Sequence, residues 1–210
     1  MLFIFLIALT ISLEAQVRDL HPYLGCRVDE NRYSYNIRNN CIWDYMLYER
    51  SRSSSWENFR VSTTSTLAPY KNILYFPNNV HDRDITTAWV EGAQGFGIGE
   101  KIYVSLHDEF PNIKKIIFVN GYIKSDKSWR DNSRVSVLLM YVHGKPYARL
   151  HLKDVKNEQV FILPSMLFTS KRGRNTASFS KNKVITFEIL DVYPGDKYQD
   201  TAISELYFSG

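Results

Sequence analysis

The segment from His81 to Trp89 contains residue types that bind a hard cation. Asp82 and Asp84 are two positions apart, and the hydroxyl of Thr87 follows three positions after Asp84. Carboxylate, hydroxyl and backbone oxygens in such a segment can converge on Ca²⁺, which takes oxygen ligands. The spacing does not match an EF-hand. The same residues also suit a turn that their own side chains cap, so the sequence leaves both interpretations open.

The glycine-rich segment Gly95–Glu100 departs from the nucleotide-binding motifs. In the dinucleotide fingerprint a third glycine leads into a helix, whereas Glu100 occupies that position here and a predicted strand follows. We interpret the segment as a tight loop. The sequence also contains no HExxH zinc motif and no GxSxG nucleophile motif. We therefore predict that the protein is not an enzyme.

The composition is that of a globular chain rich in β-structure. Of the 210 residues, 44% are hydrophobic, 23% are charged and 14% are aromatic, and a high aromatic content favours strands over a helical bundle. The 26 basic and 22 acidic residues are interspersed and give a net charge of +4. This charge pattern does not indicate a nucleic-acid partner.

The first fifteen residues predict export. Leu2–Leu13 is a nearly unbroken apolar run, shorter than the roughly 20 residues of a membrane-spanning helix, and Ala15 follows as a small residue at the expected cleavage point. We predict a signal peptide over residues 1–15, with the mature chain secreted or held in the cell envelope and without a transmembrane segment. An uncleaved membrane anchor is the alternative.

Residues 16–55 are predicted to form an N-terminal extension or linker that contains both cysteines. Cys26 and Cys41 are fifteen positions apart, and an even pair in an exported chain favours a disulfide over free thiols. A bridge that closes a loop of this size stabilises a fold by roughly 3 kcal/mol in the chain-entropy model.

From residue 56 to residue 210 the sequence predicts short strands separated by turns. No helical pattern long enough for a crossover connection lies between them, which argues against an α/β fold. The predicted class is all-β, an antiparallel β-sandwich or jelly roll whose end loops carry function. The predicted strands are residues 101–107, 113–119, 135–142, 147–152, 159–163, 184–192 and 203–208.

Several motifs over residues 60 to 209 resemble one known family in order and spacing. The motifs are residues 65–68, 75–84, 87–92, 97–100, 120–122, 124–125, 132–135, 193–198 and 200–205. Together they resemble the NADase-type glycan-binding domain, the discoidin-like translocation domain of bacterial NAD glycohydrolases. This resemblance implies a galactose-binding-like jelly roll that binds carbohydrate without cleaving it.

The resemblance also implies a calcium site. In the wider discoidin superfamily a structural calcium joins an Asp-Gly-Asp turn to a Glu near the end of the domain. Carried over residue by residue, this nominates Asp82, Asp84, Thr87 and Glu205 as ligands. The chain departs from the family pattern at Arg83, which stands where the family has Gly, so Arg83 could supply positive charge in place of a cation.

The resulting hypothesis is a secreted, non-enzymatic carbohydrate-binding module that recognises a glycan or a cell-surface glycoconjugate through its end loops. Tyrosine and tryptophan rings would stack on the sugar, and the remaining side chains would hydrogen-bond its hydroxyl or carboxylate groups. The alternative is an envelope-associated adhesin that contacts host protein or anionic lipid through the basic segment 171–174. The predicted ligand-binding residues are Glu91, Tyr122, Trp129, Asn132, Arg134 and Tyr198.

Overall fold

The structure, a computed structural model, describes residues 17–28, 59–107, 112–168 and 179–209, and of residues 179–182 it describes only the backbone. One α-helix, α1 (Asp126–Asp131), and one 3-10 helix (Pro77–His81) occur in these ranges. All other regular elements there are strands: β1 (Arg18–Leu20), β2 (Tyr23–Arg27), β3 (Phe59–Thr63), β4 (Trp89–Val90), β5 (Lys101–His107), β6 (Ile113–Asn120), β7 (Ser133–Val142), β8 (Lys145–His151), β9 (Asn157–Leu167), β10 (Phe179–Tyr193) and β11 (Thr201–Ser209).

These strands hydrogen-bond into one mixed sheet that folds over on itself. The strand order is β2-β9-β6-β11-β7-β10-β5-β3, while β4 pairs with β11, β8 with β7 and β1 with β8. Most pairings are antiparallel as predicted, but β1 runs parallel to β8, and the start of β11 runs parallel to the start of β7. Only Thr201 with Ser133 and Ala202 with Arg134 form this last ladder. This short pairing joins the two halves of the sheet, of which one is β2-β9-β6-β11 and the other is β7-β10-β5-β3.

Aromatic rings from both halves of the sheet meet between them. The ring of Phe118 on β6 lies edge-on to that of Phe187 on β10, with centroids 5.3 Å apart. Phe59 on β3 similarly contacts Phe208 on β11 at 5.4 Å. Neither pair of strands is adjacent in the sheet, so these contacts require two layers packed face to face. The predicted all-β sandwich is confirmed.

The strand predictions hold best where apolar residues alternate. Residues 101–107 form β5, with Ile102, Val104 and Leu106 buried and the intervening side chains partly exposed. Two of the predicted strands, residues 135–142 and 147–152, correspond to β7 and β8, which form a hairpin joined by His143 and Gly144 with φ angles of 53° and 73°. Two successive positive φ angles match the twist of the paired strands.

Two predicted strand limits are clearly wrong, because β10 begins at Phe179 and not at residue 184, and β9 extends past Pro164. The sequence predicts that Pro164 ends the strand over residues 159–163, whereas β9 continues to Leu167. The pairing of β9 with β6 is irregular here, and the Lys114 ammonium donates to the carbonyl oxygens of Leu163 at 2.7 Å and Pro164 at 3.3 Å. Strand β2 pairs with β9 only as far as Val160, so the missing N–H of Pro164 interrupts no ladder on that side.

Part of the predicted extension belongs to the sheet. Residues 18–27 form β1 and β2, which extend the two halves by pairing with β8 and β9. Cys26 lies on β2, but Cys41 lies outside the described residues, so their pairing stays a prediction. The predicted signal peptide over 1–15 and the basic segment 171–174 also lie outside the described residues. Within the described ranges, no helix is long and apolar enough to cross a membrane.

Candidate functional site

An open cleft of about 740 Å³ lies where three loops gather at one end of the sandwich. These loops connect β3 to β4, β6 to β7 and β10 to β11, and the second of them contains α1. Four tyrosines line the cleft: Tyr70, Tyr75, Tyr122 and Tyr198. Among the polar side chains that also line it are Ser125, Lys127, Ser128, Asp131, Asn132, Lys197 and Asp200.

Helix α1 forms one wall of the cleft and is capped at both ends. The Ser125 hydroxyl accepts a hydrogen bond from the Ser128 N–H at 3.0 Å, and Asp126 places a negative charge in the first turn. Both features favour a helix start. At the other end the side-chain amide of Asn132 donates to the Ser128 carbonyl oxygen at 2.8 Å. This helix was not among the predicted elements, although Ser125 followed by Asp126 is a recognisable N-terminal signal.

The tyrosines differ in exposure and therefore in what they offer a ligand. Tyr122 is buried at the base, where its ring contacts Tyr75 edge-on at 6.4 Å and burial raises its pKa to about 12. Tyr70 and Tyr198 are 61% and 42% exposed. The Lys197 ammonium lies 4.8 Å from the centre of the Tyr198 ring. Exposed rings beside hydrogen-bonding groups are suited to stacking on a sugar.

The charged groups of the cleft include both signs. Lys127 forms an ion pair with Asp131 one turn further along α1. On the opposite wall, partial burial raises the pKa of the Asp200 carboxyl. Together these groups supply both hydrogen-bond donors and acceptors, as recognition of a hydroxyl-rich ligand requires.

The structure brings three of the six predicted ligand-binding residues together. Tyr122, Asn132 and Tyr198 all line the cleft. Glu91, Trp129 and Arg134 do not line it.

Glu91 is buried beneath the loops beside the cleft. Its carboxylate accepts hydrogen bonds from the backbone N–H groups of Ala93 at 2.7 Å and Thr201 at 3.1 Å. Burial raises the pKa of this carboxyl. Gly97 packs so closely on Glu91 that an added Cβ would lie 2.5 Å from the Glu91 Cδ. Glu91 thus ties the loop after β4 to the start of β11.

Trp129, on α1, packs against Arg134 and does not line the cleft. The Trp129 indole N–H donates to the Asn120 carbonyl oxygen at 3.3 Å, and the Arg134 guanidinium carbon lies 4.7 Å from the ring centre. Arg134 is 7% exposed and forms an ion pair with Asp154. We therefore leave Glu91, Trp129 and Arg134 out of the proposed ligand contacts.

The predicted cation-binding turn is closed by its own hydrogen bonds. Asp82 accepts from the Asp84 N–H at 2.8 Å and from the Thr87 hydroxyl at 2.7 Å. Asp84 accepts from both the N–H and the hydroxyl of Thr86. Arg83 has a φ of 67°, the left-handed conformation that favours the glycine of the family pattern. These hydrogen bonds match the turn that is capped by its own side chains, one of the two interpretations that the sequence left open.

Glu205 lies on β11 within electrostatic range of this turn. Its Oε2 accepts a hydrogen bond from the Tyr207 hydroxyl at 2.5 Å, whereas Oε1 is buried without a partner. Burial raises the pKa of this carboxyl well above its usual range, and the charges of Asp82 and Asp84 raise it further. In the part of the chain that the structure describes, no three His, Cys, Asp or Glu side chains are grouped closely enough to hold a metal. The nominated donors are all oxygens, the ligand type that Ca²⁺ takes, and Glu205 Oε1 is unsatisfied, but the structure does not group Asp82, Asp84 and Glu205 as a metal site.

Among the cleft residues that the sequence did not predict are Tyr70, Tyr75, Lys197 and Asp200. The tyrosines lie in an aromatic segment before the 3-10 helix, and the other two lie in the 193–205 motifs of the resemblance. A signal existed in each case, but only the fold places these loops against one another.

A family model described as the NAD glycohydrolase translocation F5/8 type C domain matches residues 52–209. No curated protein matches the sequence significantly.

Among solved structures, the chain is similar to the CBM32-1 and CBM32-2 domains of ZmpB from Clostridium perfringens. The TM-score is 0.53 at 13% identity over 93% of this chain, and 0.52 at 14% identity for the same domains in complex with GalNAc. A structure that adds the M60 catalytic domain gives 0.54 at 13% identity. The chain spans 42%, 41% and 17% of these structures, respectively. Similarity at this level shows a shared jelly-roll fold.

Proposed function

The chain belongs to the family of NAD glycohydrolase translocation F5/8 type C domains, and from this membership we propose that it is a secreted, non-enzymatic carbohydrate-binding module. Its ligand would be a glycan or glycoconjugate at a cell surface. The observation that carries the proposal is the cleft, in which two exposed tyrosine rings lie beside hydrogen-bond donors and acceptors and beside both basic and acidic side chains. The CBM32-like fold supports a carbohydrate-binding type of domain.

The proposed contacts follow from exposure and chemistry. Tyr198 and Tyr70 would stack on a sugar ring, because their exposed rings offer apolar faces in the cleft. The carboxylate of Asp200 would accept from sugar hydroxyls, and Lys127 and Asn132 would donate to ring or acetamido oxygens. Such open, wet sites bind single sugars in the millimolar to micromolar range, about −4 to −8 kcal/mol.

A glycan-array screen of the full chain tests this function, with N-acetylgalactosamine-terminated glycans included because the similar ZmpB domains were solved with GalNAc. We expect binding to at least one glycan, weakened tenfold or more by Tyr198→Ala and by Asp200→Asn. Tyr23→Ala is the matched control, since Tyr23 is 45% exposed on β2 and does not line the cleft. Binding that survives both cleft substitutions, or no glycan binding, would overturn the proposal.

A structural calcium is part of the proposal. Asp82, Asp84, Thr87 and Glu205 would hold it, and it would neutralise carboxylates that otherwise repel one another. Of these four, Glu205 provides the unsatisfied oxygen. The cation would hold the turn after the 3-10 helix against β11, beside the base of the cleft.

The second candidate is an adhesin that contacts host protein or anionic lipid. It is favoured by the exposed side chains of Leu74 and Phe76, which are 46% and 50% accessible in the loop that also carries Tyr70. A chain that binds liposomes or host protein but no glycan, and loses that binding on Leu74→Ser with Phe76→Ser, would establish this function instead.

A further inference from the structure

We propose that Arg134 is a positioning residue that sets the distance between two walls of the cleft without touching the ligand. The walls are the C-terminal end of α1 and the β10–β11 loop, residues 194–200. The consequence for ligand affinity rests on the proposed function, whereas the effect on the loop does not.

The guanidinium of Arg134 is oriented from one side by Asp154. Its Nε and Nη2 donate to the two carboxylate oxygens of Asp154, each at 2.9 Å. This two-pronged geometry fixes the plane of the group, which a single hydrogen bond would not do. The side chain of Arg134 is 8% exposed, so little water competes for these bonds.

The remaining nitrogen of the guanidinium joins both walls. Nη1 lies 2.9 Å from the Asn132 carbonyl oxygen and 3.4 Å from that of Arg130, at the end of α1. It also lies 3.3 Å from the carbonyl oxygen of Pro194, in the opposite wall. Two hydrogens are thus shared among several acceptors, as is common at helix termini. The last carbonyls of a helix lack partners within it, so a cation there is stabilising.

Backbone hydrogen bonds also connect the β10–β11 loop to the end of α1. The N–H of Asp196 donates to the Arg130 carbonyl oxygen at 2.9 Å, and the N–H of Tyr198 donates to that of Asp131 at 2.7 Å. The position of the Tyr198 ring therefore depends on where the end of α1 is held. Arg134 acts on the ligand-binding ring through this backbone, which is why it positions without lining the cleft.

The Trp129 ring packs against the guanidinium of Arg134. Gly121 lets the two groups approach, since an added Cβ there would lie 2.6 Å from Arg134 Cγ and 2.8 Å from Trp129 Cδ1. Lysine could not replace arginine in this role. Its single ammonium cannot bind Asp154 in a fork and reach the carbonyls of both walls at once.

Hydrogen exchange of the full chain tests the positioning directly, without any ligand. We expect Arg134→Gln to accelerate exchange of the Asp196 and Tyr198 amides at least tenfold while the amides of β6 stay protected. Arg134→Lys should show nearly the same acceleration, because charge alone does not restore the fork. Asp154→Asn, which leaves the arginine in place, should accelerate the same amides less and serves as the milder variant if Arg134→Gln fails to fold.

The matched control is Arg130→Gln, which removes an exposed arginine from the same helix while keeping the backbone carbonyl that Asp196 uses. Its exchange should equal that of the wild type. Unchanged exchange of Asp196 and Tyr198 in the Arg134 variants, or equal acceleration in β6, would overturn the proposal. The first result would mean no positioning, and the second would mean a general loss of stability.

A titration with N-acetylgalactosamine measures the consequence for binding. If the wild type binds, Arg134→Gln should weaken binding tenfold or more at a temperature where it is fully folded, and Arg130→Gln should not. Equal affinity in all three proteins would overturn the role in binding. A wild type that does not bind this sugar counts only against N-acetylgalactosamine as the ligand, since the exchange experiment still decides the role of Arg134.

Discussion

The ring of Phe118 lies edge-on to the ring of Phe187 with 5.3 Å between centroids, although their strands, β6 and β10, are separated by two others in the sheet. Phe118 also contacts Phe161 on β9 at 6.2 Å. One side chain thus contacts both the neighbouring strand of its own layer and a strand of the opposite layer. The sandwich, and with it the convergence of the cleft loops, depends on contacts of this kind.

Replacing Phe118 by Ala should therefore destabilise the fold by about 3–5 kcal/mol, because a fully buried ring is lost and a cavity remains. Phe118→Leu, which fills most of the space, should cost about 1.5 kcal/mol or less. Urea denaturation monitored by circular dichroism measures both. A cost near zero for the Ala variant would mean that the two layers do not pack as described.

Gly97→Ala should be clearly more harmful than Gly95→Ala. Both glycines have positive φ angles, 68° and 93°, so each substitution carries a backbone cost of about 1–2 kcal/mol. Only at position 97 would the new Cβ overlap Glu91, whereas nothing lies within 4 Å at position 95. We expect an additional 1–3 kcal/mol at position 97 from this overlap. Thermal unfolding of the two variants side by side tests the difference, and equal losses would contradict it.

Trp129→Ala should reduce stability by about 2–4 kcal/mol. The Arg134 guanidinium and the Lys156 ammonium lie 4.7 Å and 5.6 Å from the centre of the ring, which also packs against the cluster around Ile123. Each cation–ring contact is worth about 0.5–1 kcal/mol, and the lost burial adds to this. Urea denaturation measures the loss. A variant that is as stable as the wild type but cannot bind glycan would return Trp129 to the ligand site.

Calcium should raise the melting temperature of the wild type relative to buffer with a chelator. Binding to the folded state alone stabilises by about 2.7 kcal/mol at a hundredfold excess over the dissociation constant. Glu205→Gln should abolish most of this shift because it removes the charge of one proposed ligand. Asp196→Asn, an exposed acid in the β10–β11 loop, is the control and should keep it. Identical melting with calcium and chelator in the wild type would remove the cation from the proposal.

The attachment of β1 should depend on pH through Asp19. The hydrogen bond from His151, at 2.7 Å, lowers the pKa of this carboxyl below its ordinary 3.8. A lowered pKa means that the stabilising contribution is complete above pH 3.8 and is lost as the pH falls through the folded-state pKa. The difference in unfolding free energy between wild type and Asp19→Asn should therefore shrink as the pH falls below 3.8 and through the folded-state pKa. A constant difference would contradict the linkage.

The strands and their class could be predicted because the information is local. Alternation of Ile102, Val104 and Leu106 gives a strand with one buried face, and the turn at Gly144 supplies a backbone conformation that pairs two strands. The exceptions have tertiary causes. Pro164 lies within β9 where β2 no longer pairs and where Lys114 binds the carbonyl oxygens of Leu163 and Pro164. Residues 18–27 form strands by pairing with β8 and β9.

The same distinction between local and tertiary information applies to the candidate site. The sequence predicted six ligand-binding residues, of which Tyr122, Asn132 and Tyr198 line the cleft, and Asp82, Asp84 and Thr87 lie in one turn as their spacing indicated. Residue type could not separate Tyr198 from Trp129 or Arg134, because an aromatic or cationic side chain binds a ligand or packs equally well. Burial and partners decide between these roles, and both depend on chain segments far apart in sequence, such as Arg134 and Pro194. The sequence determined which groups the loops carry, and the tertiary structure decided which of them face solvent in one cleft.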